Sequence, residues 1–469
     1  MTATARQAAA DILHRSTSRD GFVADLIDDQ LVRTPLSAQD RRFVTQLVFG
    51  VVRRRATLDA LVRPFVKRAP NTVEDRLWDV LHLGAFQLAF LTHVPKHAAV
   101  NESVGLAAHV GSPKATGFLN GVLRRVAELV TDGYTDRPGP AALPFDTHET
   151  QGPAGREPAP RFRVLAQPVL PDPVAAPVDY LAAGFSWPKW LARRWHDRFG
   201  AEEAARLGFW FNAPPPLWVR TNKLLTDRET YRLRLAAAMI DAGPGEHPQS
   251  LRFAEHHPIR DLPGYADGEF AVQDHSSMLV ASAVGPQPGW RILDLCAAPG
   301  GKTTHLAELA DNRAKIIACD TDPKRLETVM TLCQRLGIKG VETVRLGETD
   351  ELPPGPFDAA LVDVPCSNTG VLGRRPEVRW RLKPNEFEHL IRLQTRLLLQ
   401  AIGRVRPNGV VVYSTCSIEP DENEGVVAAV RRGVPGLTLE AEHYAVPGRP
   451  SDGGYWARLR TPRQLPSRG

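Results

Sequence analysis

The chain has 469 residues, 43% hydrophobic and 24% charged, with a formal net charge of +5 and a pI near 9.0. That length predicts two to four domains, and the expectation is a soluble cytoplasmic protein, because no run of 18 uncharged apolar residues reads as a membrane span and MTATARQAAADILHR has no signal-peptide core. Five cysteines, all beyond residue 290, are too few for a disulfide framework, and no Cys-x-x-Cys pair or Cys/His cluster points to a metal.

Residues 1–132 read as an all-helical bundle. Ala8, Ile12 and Leu13 recur at helical spacing, as do Phe22, Val23, Leu26, Ile27 and Leu31. Ser37 with Asp40 reads as a helix start after Pro35. Phe43 to Val52, Leu58 to Phe65, Leu77 to Leu91, Val100 to His109 and Ala115 to Leu129 complete a prediction of seven helices. Residues 1–130 hold 17 Lys and Arg against 12 Asp and Glu, so the net positive charge sits here. This suits either a polyanion partner or an ordinary basic surface. Arg41, Arg42, Arg53, Arg54 and Arg55 are the candidate RNA-facing residues; the alternative for each is a solvated helix face.

Residues 133–177 hold ten prolines between Pro138 and Pro177 and little periodicity, which predicts an extended linker or insertion without a core. Residues 178–285 mix helices (Trp187 to Phe199, Ala201 to Phe211, Thr226 to Ala242) with strands (Leu217 to Asn222, Phe270 to Asp274), predicting a small α+β domain of the RRM-like kind. Arg220 and Asn222 read either as nucleic-acid contacts or as strand-end hydrogen-bonding residues. From 286 to 469 strands and helices alternate, with strands at 291–295, 315–319, 341–346, 358–364 and 409–414 and a long helix from Glu386 to Val405. Repeated βα units predict a Rossmann-like α/β domain with a mostly parallel sheet.

The stretch ILDLCAAPGGKTT (292–304) is a strand, a small-residue turn and a helix, the arrangement that lets backbone approach a nucleotide-like ligand. A phosphate-binding P-loop requires Gly where Cys296 stands, and no G-x-G-x-x-G is present, so an adenosine-bearing cofactor without phosphate fits better. Asp320 ends the next strand about 20 residues on, where an α/β fold binds a ribose; it also reads as a turn residue before Pro323. Two later strands run into cysteine, at Asp363-Val364-Pro365-Cys366 and Ser414-Thr415-Cys416. Ligands bind beyond the carboxyl ends of such strands, so both thiols converge on the cofactor crevice. Cys319 and Cys333 read instead as small buried hydrophobes. Two thiols beside such a cofactor suit methyl transfer to cytosine C5, where a thiolate adding at C6 makes C5 nucleophilic and a base then removes the C5 proton.

In combination, DLCAAPGGKT, the Cys319-Asp320 pair, DVPCSNTG (363–370) and YSTCS (413–417) resemble the S-adenosylmethionine-dependent RNA cytosine-5 methyltransferases. The front end resembles the NusB fold, and RTN (220–222), GEFAVQDHSS (268–277) and LNGVLRR (119–125) narrow the resemblance to the bacterial Sun/Fmu type, which acts on 16S ribosomal RNA. The resemblance implies that Cys416 is the nucleophile and that Cys366 helps resolve the adduct. It also implies that Asp363 hydrogen-bonds the cytosine with Lys302 nearby. Cys296, Ala297, Ala298, Pro299, Gly300, Gly301 and Lys302 would wrap the methionine end of the cofactor, Asp320 its ribose, and Glu348 would stand where relatives carry an adenine-side Asp. The implied partner is ribosomal RNA and the implied state a monomer. Relatives usually read DGFF near the C-terminus, where this chain has Asp452-Gly453-Gly454-Tyr455-Trp456.

Overall fold

The N-terminal apolar stripes form seven α-helices among the residues that this computed structural model describes, which are 4–18, 21–147, 160–255, 257–347 and 352–463. They are α1 (Ala5–Ser18), α2 (Val23–Arg33), α3 (Ala38–Arg53), α4 (Arg55–Val62), α5 (Asp75–Phe90), α6 (Lys96–His109) and α7 (Thr116–Leu129). The Ser37 cap forms as the sequence predicts, its hydroxyl accepting the Asp40 N–H at 3.1 Å. The helices share one core through Ile12, Leu47, Leu81, Leu123 and Val126. Gly50 is required there, because a Cβ would sit 2.0 Å from the Phe86 ring and force α3 away from α5.

By its contacts the chain divides into two units, Met1–Pro215 with Leu372–Arg381, and Pro216–Val371 with Leu382–Gly469. The first unit corrects two expectations. The proline-rich stretch is not a plain linker: β1 (Val130–Thr135), β2 (Ala142–Thr147) and β3 (Pro160–Leu165) form an antiparallel sheet in the order β1-β3-β2. Its few apolar residues are well placed, since Leu143 and Leu165 join the helical core. Buried Arg163 of β3 donates to the carbonyls of Leu88 (3.3 Å) and Ala89 (2.9 Å) at the end of α5. Next, α8 (Pro177–Phe185) and α9 (Lys189–Asn212, bent at Gly200) make their contacts mainly within this unit.

A second correction concerns charge. Arg53 and Arg54 are buried and face protein, so they are not the RNA contacts the sequence suggested; Arg41, Arg42 and Arg55 are exposed. Arg53 donates to the Gly373 carbonyl (2.8 and 3.1 Å), and Arg54 to the carbonyls of Pro144 (2.9 Å) and Phe145 (3.0 Å). The centre of this arrangement is Arg379, fully buried in the helical turn Val378–Arg381. It donates to the carbonyls of Arg53 (2.9 Å), Phe185 (3.3 Å) and Phe211 (3.2 Å) and to Asn212 Oδ1 (2.9 Å). These acceptors lie at the C-terminal ends of α3, α8 and α9, whose dipoles are negative there, so three helix ends stabilise one guanidinium. Burial still lowers its pKa to about 9, and the neighbouring Arg53 and Arg54 act in the same direction.

The second unit begins with β4 (Trp218–Thr221), α10 (Arg228–Ala237), β5 (Ala242–Pro244), β6 (Ser250–Phe253), β7 (Phe270–Val272) and α11 (His275–Val284). Its four strands form an antiparallel sheet in the order β5-β6-β4-β7; the short β5 and β6 were not predicted from the sequence. Arg220 and Asn222 are both fully buried, which rules out the nucleic-acid contact. Arg220 pairs with buried Glu308 at 2.6 Å, and Asn222 donates to the Gly268 and Leu336 carbonyls, both at 2.9 Å.

The remainder is the α/β domain: β8 (Arg291–Leu295), α12 (Gly301–Leu309), β9 (Lys315–Asp320), α13 (Pro323–Leu336), β10 (Val341–Arg345), β11 (Phe357–Asp363), α14 (Val378–Arg381, grouped with the first unit), α15 (Glu386–Ile402), β12 (Val405–Thr415), α16 (Glu424–Gly433), β13 (Thr438–Ala445) and β14 (Gly454–Arg460). The strand order is β10-β9-β8-β11-β12-β14-β13, parallel from β10 to β12, with β14 antiparallel to β12. Ile292, Ile316, Ala359 and Val412 pack on one face, and Leu293, Ile317, Ala360 and Val411 on the other. Both faces being covered explains the continuous apolar runs. Glu348 lies outside the described residues.

Arg379→Ala is expected to lower the unfolding free energy by about 3 kcal/mol or more, because several buried carbonyls lose their donor. Denaturant unfolding measures this, and a loss under about 1 kcal/mol would mean that water or neighbouring groups satisfy those carbonyls.

Candidate active site

The chain leaves β8 at Leu295 and turns sharply into α12. Cys296 and Gly300 both adopt left-handed backbone, at φ 60° and 100°. A Cβ on Gly300 would meet the Val329 backbone at 3.0 Å, so only glycine lets the turn lie against α13. The Ala297 N–H donates to the Cys319 carbonyl (3.0 Å) and the Ala298 N–H to Asp320 Oδ2 (3.2 Å), tying the turn to the end of β9. Arg325 donates to the Ala298 carbonyl at 2.6 Å. Asp320 is buried and holds the next turn too, accepting the Asp322 N–H at 3.2 Å. It thus has the turn role that the sequence left open, and a carboxylate retains lone pairs for a ribose hydroxyl. Cys296 is half-buried, with its thiol pKa raised by burial and by the Asp320 and Asp363 charges, so it is no ready nucleophile.

Beyond β11 and β12 the structure brings the two strand-end cysteines together. The Cys366 and Cys416 sulfurs are 3.2 Å apart. Cys416 donates to Asn368 Oδ1 at 3.2 Å, and the Asn368 amide donates to the Cys366 carbonyl at 2.8 Å. Asn368 takes left-handed backbone (φ 57°), which folds its side chain back over the cysteine loop. Lys302, on the first turn of α12, donates to Asp363 Oδ2 at 2.7 Å, and Ser414 donates to Asp363 Oδ1 at 2.7 Å. Burial works against the Lys302 charge, but the Asp363 carboxylate and the Cys416 sulfur outweigh it and the pKa rises. Cys366 is raised well above its ordinary value, first by its hydrogen bond with Cys416, then by burial, then by the charges of Cys416 and Glu422. Cys366 therefore holds its proton more firmly than an ordinary thiol.

The family description "16S rRNA methyltransferase RsmB/F" matches residues 281–447, "NusB family" residues 3–128, and an RsmF/B-like ferredoxin-like domain residues 187–260. A protein of Synechocystis named probable ribosomal RNA small subunit methyltransferase B is 36% identical, with 90% of this chain and 88% of that protein covered. The chain belongs to the RsmB/F methyltransferase family. A Klebsiella pneumoniae protein named ribosomal RNA small subunit methyltransferase B is 30% identical, with 90% of this chain and 91% of that protein covered. The crystal structure of a methyltransferase homologue from Pyrococcus horikoshii is similar at a TM-score of 0.52 and 26% identity, over 60% of this chain and 97% of that one.

As an RsmB/F-family member the protein is an S-adenosylmethionine-dependent RNA methyltransferase. The crevice suits that cofactor, a sulfonium cation with an adenosine. The turn presents small residues, and Asp294 Oδ1 is buried without a hydrogen-bond partner among the described residues, while its other oxygen accepts Thr303 Oγ1 at 2.6 Å. Sequence reasoning found Cys366, Cys416, Lys302 and Asp363 but missed Asn368, Ser414 and Asp294. The Asn-Thr-Gly run after Cys366 was the available signal for a turn. Ser414 and Asp294 carry no local signal, because strand pairing alone aims them. Among the described residues no group of three or more His, Cys, Asp or Glu is placed to hold a metal, and no helix is long and apolar enough to cross a membrane.

Burial raises Asp294 from 3.8 to about 7, helped by Asp363 and opposed by Thr303 and Lys302. Folding therefore binds a proton between those values, and the stability this group contributes is lost as pH rises through about 7. Asp294→Asn does not titrate, so its stability relative to wild type should grow from about pH 4 to pH 7 and then level off. Urea unfolding across that range tests this, and a flat difference would mean that Asp294 is already ionised at acidic pH.

Proposed function

We propose that this RsmB/F-family protein methylates C5 of a cytosine in 16S ribosomal RNA through a covalent adduct between Cys416 and cytosine C6. The observation that carries the reading is the pair of sulfurs 3.2 Å apart at the ends of β11 and β12. Lys302 and Asp363, joined at 2.7 Å, lie beside it and suit recognition of the base. The fixed charge on Lys302 favours a thiolate on Cys416. When Cys416 sulfur bonds to C6, the C5–C6 π bond breaks and its electrons pass to C5. S-adenosylmethionine, when bound, supplies the methyl group to that carbon.

Cys366 then serves as the base. Once Cys416 is bonded to C6 it is neither a charge nor an effective hydrogen-bond acceptor. The foremost cause holding the proton on Cys366 is thereby removed, and its loss to solvent becomes easier, with burial and Glu422 still opposing it. Its thiolate takes the C5 proton, the C5–C6 double bond re-forms and the bond to Cys416 breaks. Asp363, oriented by Lys302 and Ser414, holds the cytosine edge; Cys296 to Gly301 and Asp320 hold the cofactor. Glu348 remains assigned to the adenine side by resemblance alone.

The relatives' names support small-subunit ribosomal RNA as the substrate. The target base must leave its stack, which costs a few kcal/mol. The exposed Arg41, Arg42 and Arg55 of the NusB-like region are the proposed RNA contacts. The substrate places the enzyme in the cytoplasm, acting as a monomer on unassembled or partly assembled RNA.

The test is a denaturing gel after incubation with S-adenosylmethionine and small-subunit ribosomal RNA, with transfer RNA in parallel. Cys416→Ala should form no RNA-linked band and no methylcytosine. Cys366→Ala should accumulate the linked band, because it adds but does not release. The reverse pattern would exchange the two roles, and a band only with transfer RNA would change the substrate.

A further inference from the structure

Behind the cysteines lies a carboxylate that the reaction above does not use. Glu422 is fully buried, between the end of β12 and the start of α16. Its Oε1 accepts the Ser367 backbone N–H and Gln394 Nε2, both at 2.9 Å. Its Oε2 accepts Ser417 Oγ at 2.6 Å and also Ser367 Oγ. Ser367 directly follows Cys366, and Ser417 directly follows Cys416. Gln394 of α15 donates as well to the carbonyl of Pro365, the residue before Cys366, at 3.0 Å. The Tyr413 hydroxyl donates to the Glu422 carbonyl at 2.6 Å, fixing the carboxylate's backbone to β12.

A buried carboxylate is tolerated only when its lone pairs are filled. Here every donor that fills them belongs to a cysteine loop or to a residue that also holds one. The two loops meet otherwise through small contacts: the Gly370 N–H donates to the Cys416 carbonyl at 3.0 Å, and Thr369 Oγ1 lies 3.1 Å from Ser417 Oγ. Ser367 Oγ and Ser417 Oγ also lie 3.1 Å apart, and Thr369 Oγ1 stands within 3.2 Å of both, so Glu422 is the carboxylate at the centre of a hydroxyl cluster that spans the two loops.

We infer that Glu422 is a positioning residue, its carboxylate joining the Cys366 and Cys416 loops so that the two sulfurs stand at reacting distance. The inference rests on the two-cysteine reading above. It predicts a division of labour between the donors. Ser417 ties the loop of the nucleophile, and Ser367 that of the base. Their loss should therefore slow different steps.

The experiment uses the full chain with S-adenosylmethionine and small-subunit ribosomal RNA. Glu422→Ala should lower kcat by about 100-fold, as expected for misplaced reacting groups, while KM for RNA and the affinity for S-adenosylmethionine stay within about threefold. Glu422→Gln should restore most of kcat, because its oxygen can replace Oε1 and the serine hydroxyls can turn to accept from its amide. Ser417→Ala and Ser367→Ala keep the carboxylate and guard against a Glu422→Ala that does not fold. Ser417→Ala should slow formation of the RNA-linked band in a Cys366→Ala background. Ser367→Ala alone should make that band accumulate. A folded Glu422→Ala with wild-type kcat would overturn the inference. So would serine variants that slow both steps alike, or a kcat loss matched by equal losses of cofactor affinity and Tm. Absence of product in wild type and of a band in Cys366→Ala would instead sink the two-cysteine reading itself.

Discussion

The parallel pairing of β8 with β11 is the constraint on which the site depends. Strand order reverses there, with β9 and β10 to one side and β12 to the other, so the carboxyl ends of β8 and β11 open a crevice that no crossover helix fills. The register sets what faces it. Leu361 pairs with Asp294 and Asp363 with Ser414, which brings acidic and hydroxyl side chains from three strands to neighbouring levels. A slip of one residue would turn Asp363 to the opposite face and break its contacts with Lys302 and Ser414. Burial of both sheet faces resists that slip, since it would also carry every apolar side chain of β11 across the sheet.

The protein holds charged side chains in its interior in three different ways. Arg220 and Glu308 form a paired set, both fully buried. Arg379 is held by the carbonyl ends of three helices and Glu422 by hydroxyls, an amide and a backbone N–H. Such arrangements add little net stability over well-packed apolar residues, because desolvation offsets the attraction. What they provide is geometry, since each charge is satisfied in only one arrangement of the segments around it. The segments so fixed are helix ends in the first unit and cysteine loops in the second.

Much of this was readable in the chain. The seven N-terminal helices follow from apolar stripes at helical spacing, and the five parallel strands from short runs that alternate with helices, two of them ending in Asp and two leading into Cys. The turn from Cys296 to Gly301 and both strand-end cysteines were legible because their spacing is local. The antiparallel β13 and β14 were missed, since the largely exposed β13 lacks an apolar pattern and nothing nearby marks the pairing of β14. The stretch 133–177 misled through its prolines; β2 and β3 accept Pro144 and Pro160 in a small sheet whose core side is supplied by distant helices.

Sequence alone thus determined the local elements and the Rossmann-like βα alternation, because backbone propensity and side-chain periodicity act over a few residues. Tertiary structure decided which charged residues face water. Arg53 and Arg54, candidate RNA-facing cations, proved to be buried, Arg220 took the strand-end hydrogen-bonding role that the sequence left open, and Arg379 carried no signal at all. Its acceptors lie as far as 326 residues away in the chain, and Glu422 meets Ser367 across 55. Only folding brings such partners together. A charge is stable in the interior only where they meet, so its position cannot be read from its neighbours in sequence.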